Sequence, residues 1–152
     1  MIIVDAENQV LGRMASHVAK LLLNGHRVVI VNAAKAVLSG DKYRIIDRFK
    51  ERYGKTTLYN PETHGHRNPR RPENIVRRAV RGMLPRKKPR GKEAYKRLRV
   101  YPGVPERYKN VEKVKFEDAL ASRLGRKYVY LGEIAKLFGW RPPKGLEIGE
   151  MR

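Results

Sequence analysis

The chain has 152 residues, 41% of them hydrophobic, which is enough for one domain with a core and too apolar for a wholly disordered basic tail. Its 35 Lys and Arg residues against 15 acidic residues give a net charge of +20, more than an ordinary solvated surface carries. The absence of Cys excludes a disulfide framework and a thiolate metal site.

The first forty residues predict a strand, a helix and a second strand. Residues 2–4 form an apolar, β-branched run that is typical of a buried strand. A helix with apolar residues at helical spacing is predicted from Leu11 to a stop at Asn24, and a second apolar strand at Val28–Val31. This order predicts a parallel sheet with right-handed crossovers. The start lacks a basic, cleavable leader, and no segment approaches the roughly twenty apolar residues that span a bilayer, so we expect a soluble cytoplasmic protein.

A further helix is predicted at residues 41–53, with a basic outer face. Residues 55–71 contain Pro, Gly and polar residues without either period, so they predict a long loop, and loops of that length usually have a function. The apolar stripe of the helix is predicted to be Tyr43, Ile45, Ile46 and Phe49.

Residues 67–99 carry fourteen Lys or Arg residues and only two acids, Glu73 and Glu93, a net charge of +12. We call this segment the basic block. So dense a patch repels itself in water, and its natural partner is a row of phosphates, where each neutralised charge releases a condensed counterion. The alternative is a charged surface that only keeps the protein soluble, but the imbalance over the whole chain favours a nucleic-acid partner.

Two helices joined by a basic loop are predicted within the basic block. Pro72 fits the first turn of a helix that continues to Met83. Pro85 and Pro89 interrupt the chain, and a short helix is predicted from Gly91. The residues predicted to face inward are Ile75, Val76, Ala79, Val80, Met83, Ala94 and Leu98.

The remaining chain predicts irregular structure and then a strand followed by a helix. Residues 100–110 contain prolines and a glycine and predict irregular chain. A strand is predicted at 128–131 and an amphipathic helix at 132–138, with Trp140 packed at its end.

Two nucleotide-binding motifs fail on their spacing. Gly54, Lys55 and Thr56 resemble the end of a P-loop, but Phe49 stands where that motif requires a glycine. After the first strand only Gly12 is present where a dinucleotide-binding turn needs three glycines. The sequence therefore gives no support to a nucleotide-using enzyme.

His64 and His66 bring two imidazoles together, as zinc would require, but only Glu62 lies nearby in the sequence and no four-ligand set is completed. We favour surface or RNA-contacting histidines. The carboxylates are scattered without the spacing of an acid–base pair. We therefore expect no catalytic residues, metal, cofactor or small-molecule substrate. Tyr59, Tyr95 and Tyr101 could stack on unpaired bases or pack on the core, and we favour packing.

These residues resemble a known family. The sequence VRGMLP at residues 80–85 is similar to the central motif of the universal L-thirteen family of large-subunit ribosomal proteins, and the likeness continues with Arg90-Gly91, Leu98, Val100-Tyr101 and Gly103. The residues Leu11-Gly12-Arg13, the run Val28–Val31, and Ser39-Gly40 with Tyr43-Arg44 also match. Residues 127–132 and the Gly139-Trp140 pair resemble the archaeal and eukaryotic branch, and the likeness spans roughly nine tenths of the chain. Val-Pro-Glu-Arg at 104–107 departs from the bacterial ending, so contacts of that ending are not carried over.

The resemblance implies a three-layer α/β/α fold around a mainly parallel four-stranded sheet, with basic extensions. It implies one ribosomal-protein domain at 1–152, with basic RNA-binding elements at about 55–99 and a C-terminal extension from about 104. The implied function is binding of large-subunit rRNA and support of subunit assembly without catalysis, beside neighbouring large-subunit ribosomal proteins and away from membranes. A DNA-binding module, or a regulatory RNA-binding module outside the ribosome, remains an alternative.

Phosphate contacts are expected from the basic block, where guanidinium forks can meet phosphates. The leading candidates are Arg77, Arg78, Arg81, Arg86, Lys87, Lys88, Arg90 and Lys92. The next are Arg67, Arg70, Arg71, Lys96 and Arg97, followed by Arg13 and Arg44 on the family resemblance.

Overall fold

The computed structural model describes residues 1–146 and 148, which form a mixed α/β fold. Its main sheet is parallel and contains β1 (Ile2–Asp5), β2 (Val28–Val31) and β4 (Leu98–Val100), in the order β1-β2-β4. The two strands predicted at the start of the chain are confirmed. The third strand was predicted as helix, because Leu98 follows Ala94 at helical spacing, whereas the structure pairs Leu98 with Val28.

Most of the helices predicted from the sequence are present in the structure. The helix predicted at 41–53 is found within one residue of those bounds, and the short helix in the basic block begins two residues earlier than predicted. The predicted loop at 55–71 contains one helical turn that sequence reasoning missed. The six helices of the described chain are α1 (Leu11–Leu23), α2 (Lys42–Gly54), α3 (Pro61–His64), α4 (Pro72–Met83), α5 (Pro89–Lys96) and α6 (Leu131–Leu137).

The predicted four-stranded sheet is wrong for the described residues, where the main sheet has three strands. Beside β1 the described chain adds only a single parallel bridge between Val4 and Val114, which does not extend into a fourth strand. A separate antiparallel pair consists of β3 (Val37–Ser39) and β5 (Tyr128–Tyr130). The strand predicted near residue 128 therefore exists, but it pairs outside the main sheet.

The main core lies on the face of the sheet that α1, α4 and α5 cover. The opposite face is a small cluster of Ile3, Val29 and Val31, and the partly buried residues packed on it are Tyr101, Val104 and Tyr108. The predicted three-layer fold requires helices on both faces of the sheet. Within the described chain, residues 101–108 cover the second face instead. The first two residues of this segment follow β4 directly, so the chain folds over the sheet as soon as the strand ends.

Two residues predicted to be buried are exposed. Tyr43 is 76% exposed, because it lies two positions from Ile45 and so points away from the face that Ile45 and Phe49 bury. Met83 is 44% exposed, because it is the last residue of α4. The other predicted inward residues of α4 and α5 are buried or partly buried.

Residues 116–118 are attached to α1 by His17. The His17 ring stacks on Phe116, with ring centroids 4.6 Å apart, and its Nε2 lies 2.6 Å from Asp118 Oδ2. Arg13 adds a hydrogen bond from Nη1 to the Asp118 carbonyl at 3.0 Å. These contacts fix the later part of the chain against the first helix.

Replacing Asp118 with Asn should therefore produce a pH-dependent loss of stability. The hydrogen bond with His17 holds the pKa of Asp118 below its usual value of 3.8. Because the folded pKa is the lower one, the stabilisation is present above about pH 3.8 and is lost as the pH falls through the folded value. We expect the urea midpoint of Asp118→Asn to lie slightly below that of the wild type at neutral pH and to meet it in strong acid. Glu117→Gln is the control, because Glu117 is largely exposed and 4.0 Å from Arg123. An equal deficit at both pH values would refute the assignment.

Candidate nucleic-acid interface

The positive charge of the basic block is uncompensated. Within residues 1–146 and 148, six ion pairs form, and none of them includes a Lys or Arg of residues 67–99. The Lys and Arg residues that do pair with carboxylates, Lys35, Lys55, Lys115 and Arg123, all lie outside the block, and Lys35 is 2.8 Å from Glu7. No carboxylate of the described chain therefore forms an ion pair with the block.

Helix α4 has one apolar side and one arginine side. Ile75, Val76 and Val80 are buried in the core. Three of the leading candidates, Arg77, Arg78 and Arg81, lie off this buried face, and Arg81 neighbours both of the others because it follows Arg77 by four positions and Arg78 by three. The hydrophobic core thereby fixes the direction in which the guanidinium groups point.

The loop between α4 and α5 is held by its backbone. Arg86 N donates to the Leu84 carbonyl at 2.7 Å and Lys88 N to the Pro85 carbonyl at 3.0 Å. Leu84 is buried, whereas the side chains of residues 86–88 are exposed. A hydrogen-bonded turn therefore presents three consecutive cations to solvent.

Residues 68–70 are attached to α2. Tyr53 donates its hydroxyl to the Pro69 carbonyl at 2.9 Å, and Asn68 Nδ2 donates to the Arg52 carbonyl at 2.7 Å. The Arg70 guanidinium lies over the Tyr53 ring, 5.3 Å from its centroid. Burial raises the pKa of Tyr53, and the nearby arginines oppose part of that rise. The arginines at the start of the basic block are thus placed on an ordered surface.

The candidates differ in exposure. Arg97 is partly buried and donates from Nη2 to the Leu22 carbonyl at 3.0 Å, so it binds the end of α1. Arg13 is exposed but already bonded to Asp118, and Arg44 is exposed on α2. Arg77 and Arg81 are also partly buried. The exposed candidates in the basic block are Arg67, Arg70, Arg71, Arg78, Arg86, Lys87, Lys88, Arg90, Lys92 and Lys96.

Sequence reasoning missed Arg48 and Arg52 as candidates, although the basic outer face of α2 was their signal. With Arg78 they line a groove of about 500 Å³ between α2 and α4, whose floor includes Phe49 and Tyr53. The basic surface consequently extends beyond residues 67–99.

The three tyrosines near the block are not equivalent. Tyr95 lies under Arg77, with the guanidinium carbon 4.9 Å from the ring centroid, and Tyr101 packs on the second face of the sheet. Packing is confirmed for these two. It is wrong for Tyr59, which is 77% exposed, because the turn that begins at Asn60 in a left-handed conformation carries it away from the core.

Many α/β enzymes bind their ligands at the carboxyl ends of the parallel strands. In this chain the polar side chains at that edge pair with one another. Asp5 accepts a hydrogen bond from Asn32 Nδ2 at 2.8 Å and lies 3.3 Å from Lys115 Nζ.

The histidines that the sequence brings together do not form a metal site. The Nδ1 atom of His64 lies 2.8 Å from Thr63 Oγ1. In the part of the chain that the structure describes, no three His, Cys, Asp or Glu residues group as metal ligands, and no helix is long and apolar enough to cross a membrane.

The fold and this surface define a small, basic α/β protein whose positive charge is concentrated on one segment. Residues 1–107 match the family Ribosomal protein L13. The large ribosomal subunit protein uL13 of Sulfurisphaera tokodaii is 48% identical over 139 residues, covering 91% of this chain and 94% of its own. The uL13 proteins of Archaeoglobus fulgidus and Methanococcus maripaludis are 48% and 44% identical, each over 91% of this chain, and cover 88% and 98% of their own lengths.

The chain therefore belongs to the uL13 family of ribosomal proteins, as its sequence motifs predicted. Membership of this family also confirms the prediction that the protein is not an enzyme.

Proposed function

We propose that this protein is a structural constituent of the large ribosomal subunit that binds large-subunit rRNA and supports assembly of the subunit. The observation that carries the proposal is the basic block, whose fourteen cations form no ion pair within the described chain. Relatives that cover almost the whole chain are large ribosomal subunit proteins, which supports the same location.

The proposed mode of binding uses the phosphate backbone. A-form RNA hides its major groove from side chains, so shape, 2′-hydroxyls and phosphates are the accessible features. The arginine side of α4 and the exposed cations of the 86–88 turn suit phosphates, because arginine donates in a planar fork that matches two oxygens. Recognition would then depend on the arrangement of the cations on rigid elements rather than on reading of base sequence.

The domain organisation belongs to the same proposal. Residues 1–152 would act as one unit within the cytoplasmic large subunit, with residues 55–99 on rRNA and the chain from about 104 as an extension beside neighbouring ribosomal proteins. The contacts of Arg13 and His17 with Asp118 support a docked extension.

Binding to large-subunit rRNA fragments tests the proposal, with length-matched duplex DNA and an unrelated structured RNA as competitors, across a salt series. We expect saturable preference for a particular rRNA fragment at moderate salt, because the cations are held in fixed positions. Equal and steeply salt-dependent binding to all three polymers would contradict it and would favour a general nucleic-acid binder. Co-sedimentation with large subunits through a salt wash would distinguish a ribosomal constituent from a regulatory RNA-binding protein.

A further inference from the structure

Four arginines line a single small cleft on the basic block. Its volume is about 200 Å³, and Arg67, Arg77, Arg78 and Arg81 contribute to its wall. The other lining residues, Pro69, Asn74 and Tyr95, carry no charge at neutral pH, so no carboxylate belongs to the lining. Four like charges around so small a volume repel one another unless an anion enters.

The arginines are oriented by neutral partners. Arg78 Nη1 donates to Asn68 Oδ1 at 2.8 Å, and Arg67 Nη2 donates to the Glu62 carbonyl at 2.9 Å. The Arg77 guanidinium stacks over the Tyr95 ring at 4.9 Å. Carbonyl oxygens and an aromatic ring hold these guanidinium groups in place without neutralising their charge. The side chains therefore lose less conformational entropy when an anion binds.

Arg77 and Arg81 retain donors for a ligand. Arg77 Nε is buried and therefore closed to a ligand, but the terminal Nη groups of Arg77 form no hydrogen bond or ion pair within the described chain and keep their donors. No side-chain hydrogen bond or ion pair of Arg81 occurs among the described residues. An anion with several oxygens would supply acceptors to this face of α4.

We propose that this cleft is a specific binding site for one phosphate group of the RNA backbone. The inference rests on the proposed function, since it names the RNA group that the arginines of α4 receive. A volume of about 200 Å³ is smaller than the roughly 300–1,000 Å³ of pockets that enclose whole ligands, so a phosphate fits better than a nucleotide. Arg81 and Arg77 bind its oxygens, and Arg78 and Arg67 supply the surrounding charge.

Inorganic phosphate tests the cleft without RNA. At constant ionic strength, replacing sodium chloride by sodium phosphate should raise the melting temperature of the wild-type protein by about 2–4 °C once the site is occupied. Arg81→Gln should lose most of this rise. Arg126→Gln is the matched control, because Arg126 is exposed, lies outside the cleft and loses the same charge. Similar rises in both variants would overturn the site.

Charge-conserving variants test the cleft on RNA. Lysine keeps the positive charge but lacks the planar fork, so Arg81→Lys should weaken binding of an rRNA fragment about tenfold, whereas Arg126→Lys should change it by less than twofold. Arg78→Lys is a second cleft variant, with circular dichroism to check folding. Equal affinities of the Arg81 and Arg126 variants would refute a built site.

The two proposals fail in different ways. Preference of the wild-type protein for an rRNA fragment, with no effect of Arg81→Lys and no stabilisation by phosphate, would refute only the cleft. Absence of any rRNA preference, with phosphate stabilisation that Arg81→Gln removes, would refute the ribosomal role and support the cleft as an anion site.

Discussion

Replacing Arg86, Lys87 and Lys88 together with alanine should weaken binding to large-subunit rRNA roughly hundredfold at moderate salt. The three side chains are exposed on a turn that its backbone holds, so their loss leaves the core intact. Each phosphate contact contributes about 0.7–0.9 to the slope of log affinity against log salt, so the slope should flatten by about 2–3. Filter binding across a salt series measures both quantities.

A variant of equal charge separates local contacts from general attraction. Arg107, Lys109 and Arg126 are exposed and lie outside the basic block, so their joint replacement by alanine removes the same charge. We expect a smaller loss of affinity and a smaller change in slope than for the 86–88 variant. Melting temperatures should stay close to the wild-type value in both cases, since surface substitutions usually change stability little. An unchanged slope in the 86–88 variant would sink the assignment of these residues to phosphates.

The sequence predicted the elements whose signal is local. Helix α1 and strand β2 have periodic apolar residues over their full length, and Gly25, with φ of 93°, ends the helix as the Asn-Gly signal indicated. Strands β3 and β4 have only three residues each, and their extended state is decided by distant partners, Tyr128–Tyr130 and Val28. Strand β5 is equally short but was predicted, because Tyr128, Val129 and Tyr130 are all residue types with high strand preference, whereas β3 and β4 each contain a polar or charged residue.

The candidate site was predictable in its charge but not in the orientation of individual residues. The basic block can be located by counting the Lys, Arg, Asp and Glu residues, because the net charge of a segment does not depend on how its side chains are oriented. It cannot distinguish Arg97, which binds the end of α1, from Arg81, whose side chain has no polar partner in the described chain. Nor can it show that Arg77 uses Tyr95 as a support. These differences arise from tertiary packing, which brings residues from α3, α4 and α5 together.

Replacing Gly91 with alanine should destabilise the protein by about 1–3 kcal/mol, because the start of α5 has no room for a side chain. A Cβ at this position would lie 2.2 Å from the Pro85 carbonyl oxygen and 2.5 Å from the Pro85 carbonyl carbon. These are backbone atoms, so the 85–88 turn must move as a whole. Urea unfolding should show the loss of stability, and rRNA binding should weaken with it, since this turn presents Arg86, Lys87 and Lys88.

Gly82→Ala is the matched control from the same family motif. No heavy atom lies within 4 Å of a Cβ built at Gly82, and the residue is helical, so alanine should stabilise the protein by up to about 1 kcal/mol and leave rRNA binding unchanged. The two substitutions add the same methyl group and should act with opposite signs. If Gly91→Ala were as stable as the wild-type protein, the close packing of α5 on Pro85 would be wrong. If it lost stability but kept full rRNA affinity, the turn would not be a principal contact, and binding would depend on the arginine face of α4.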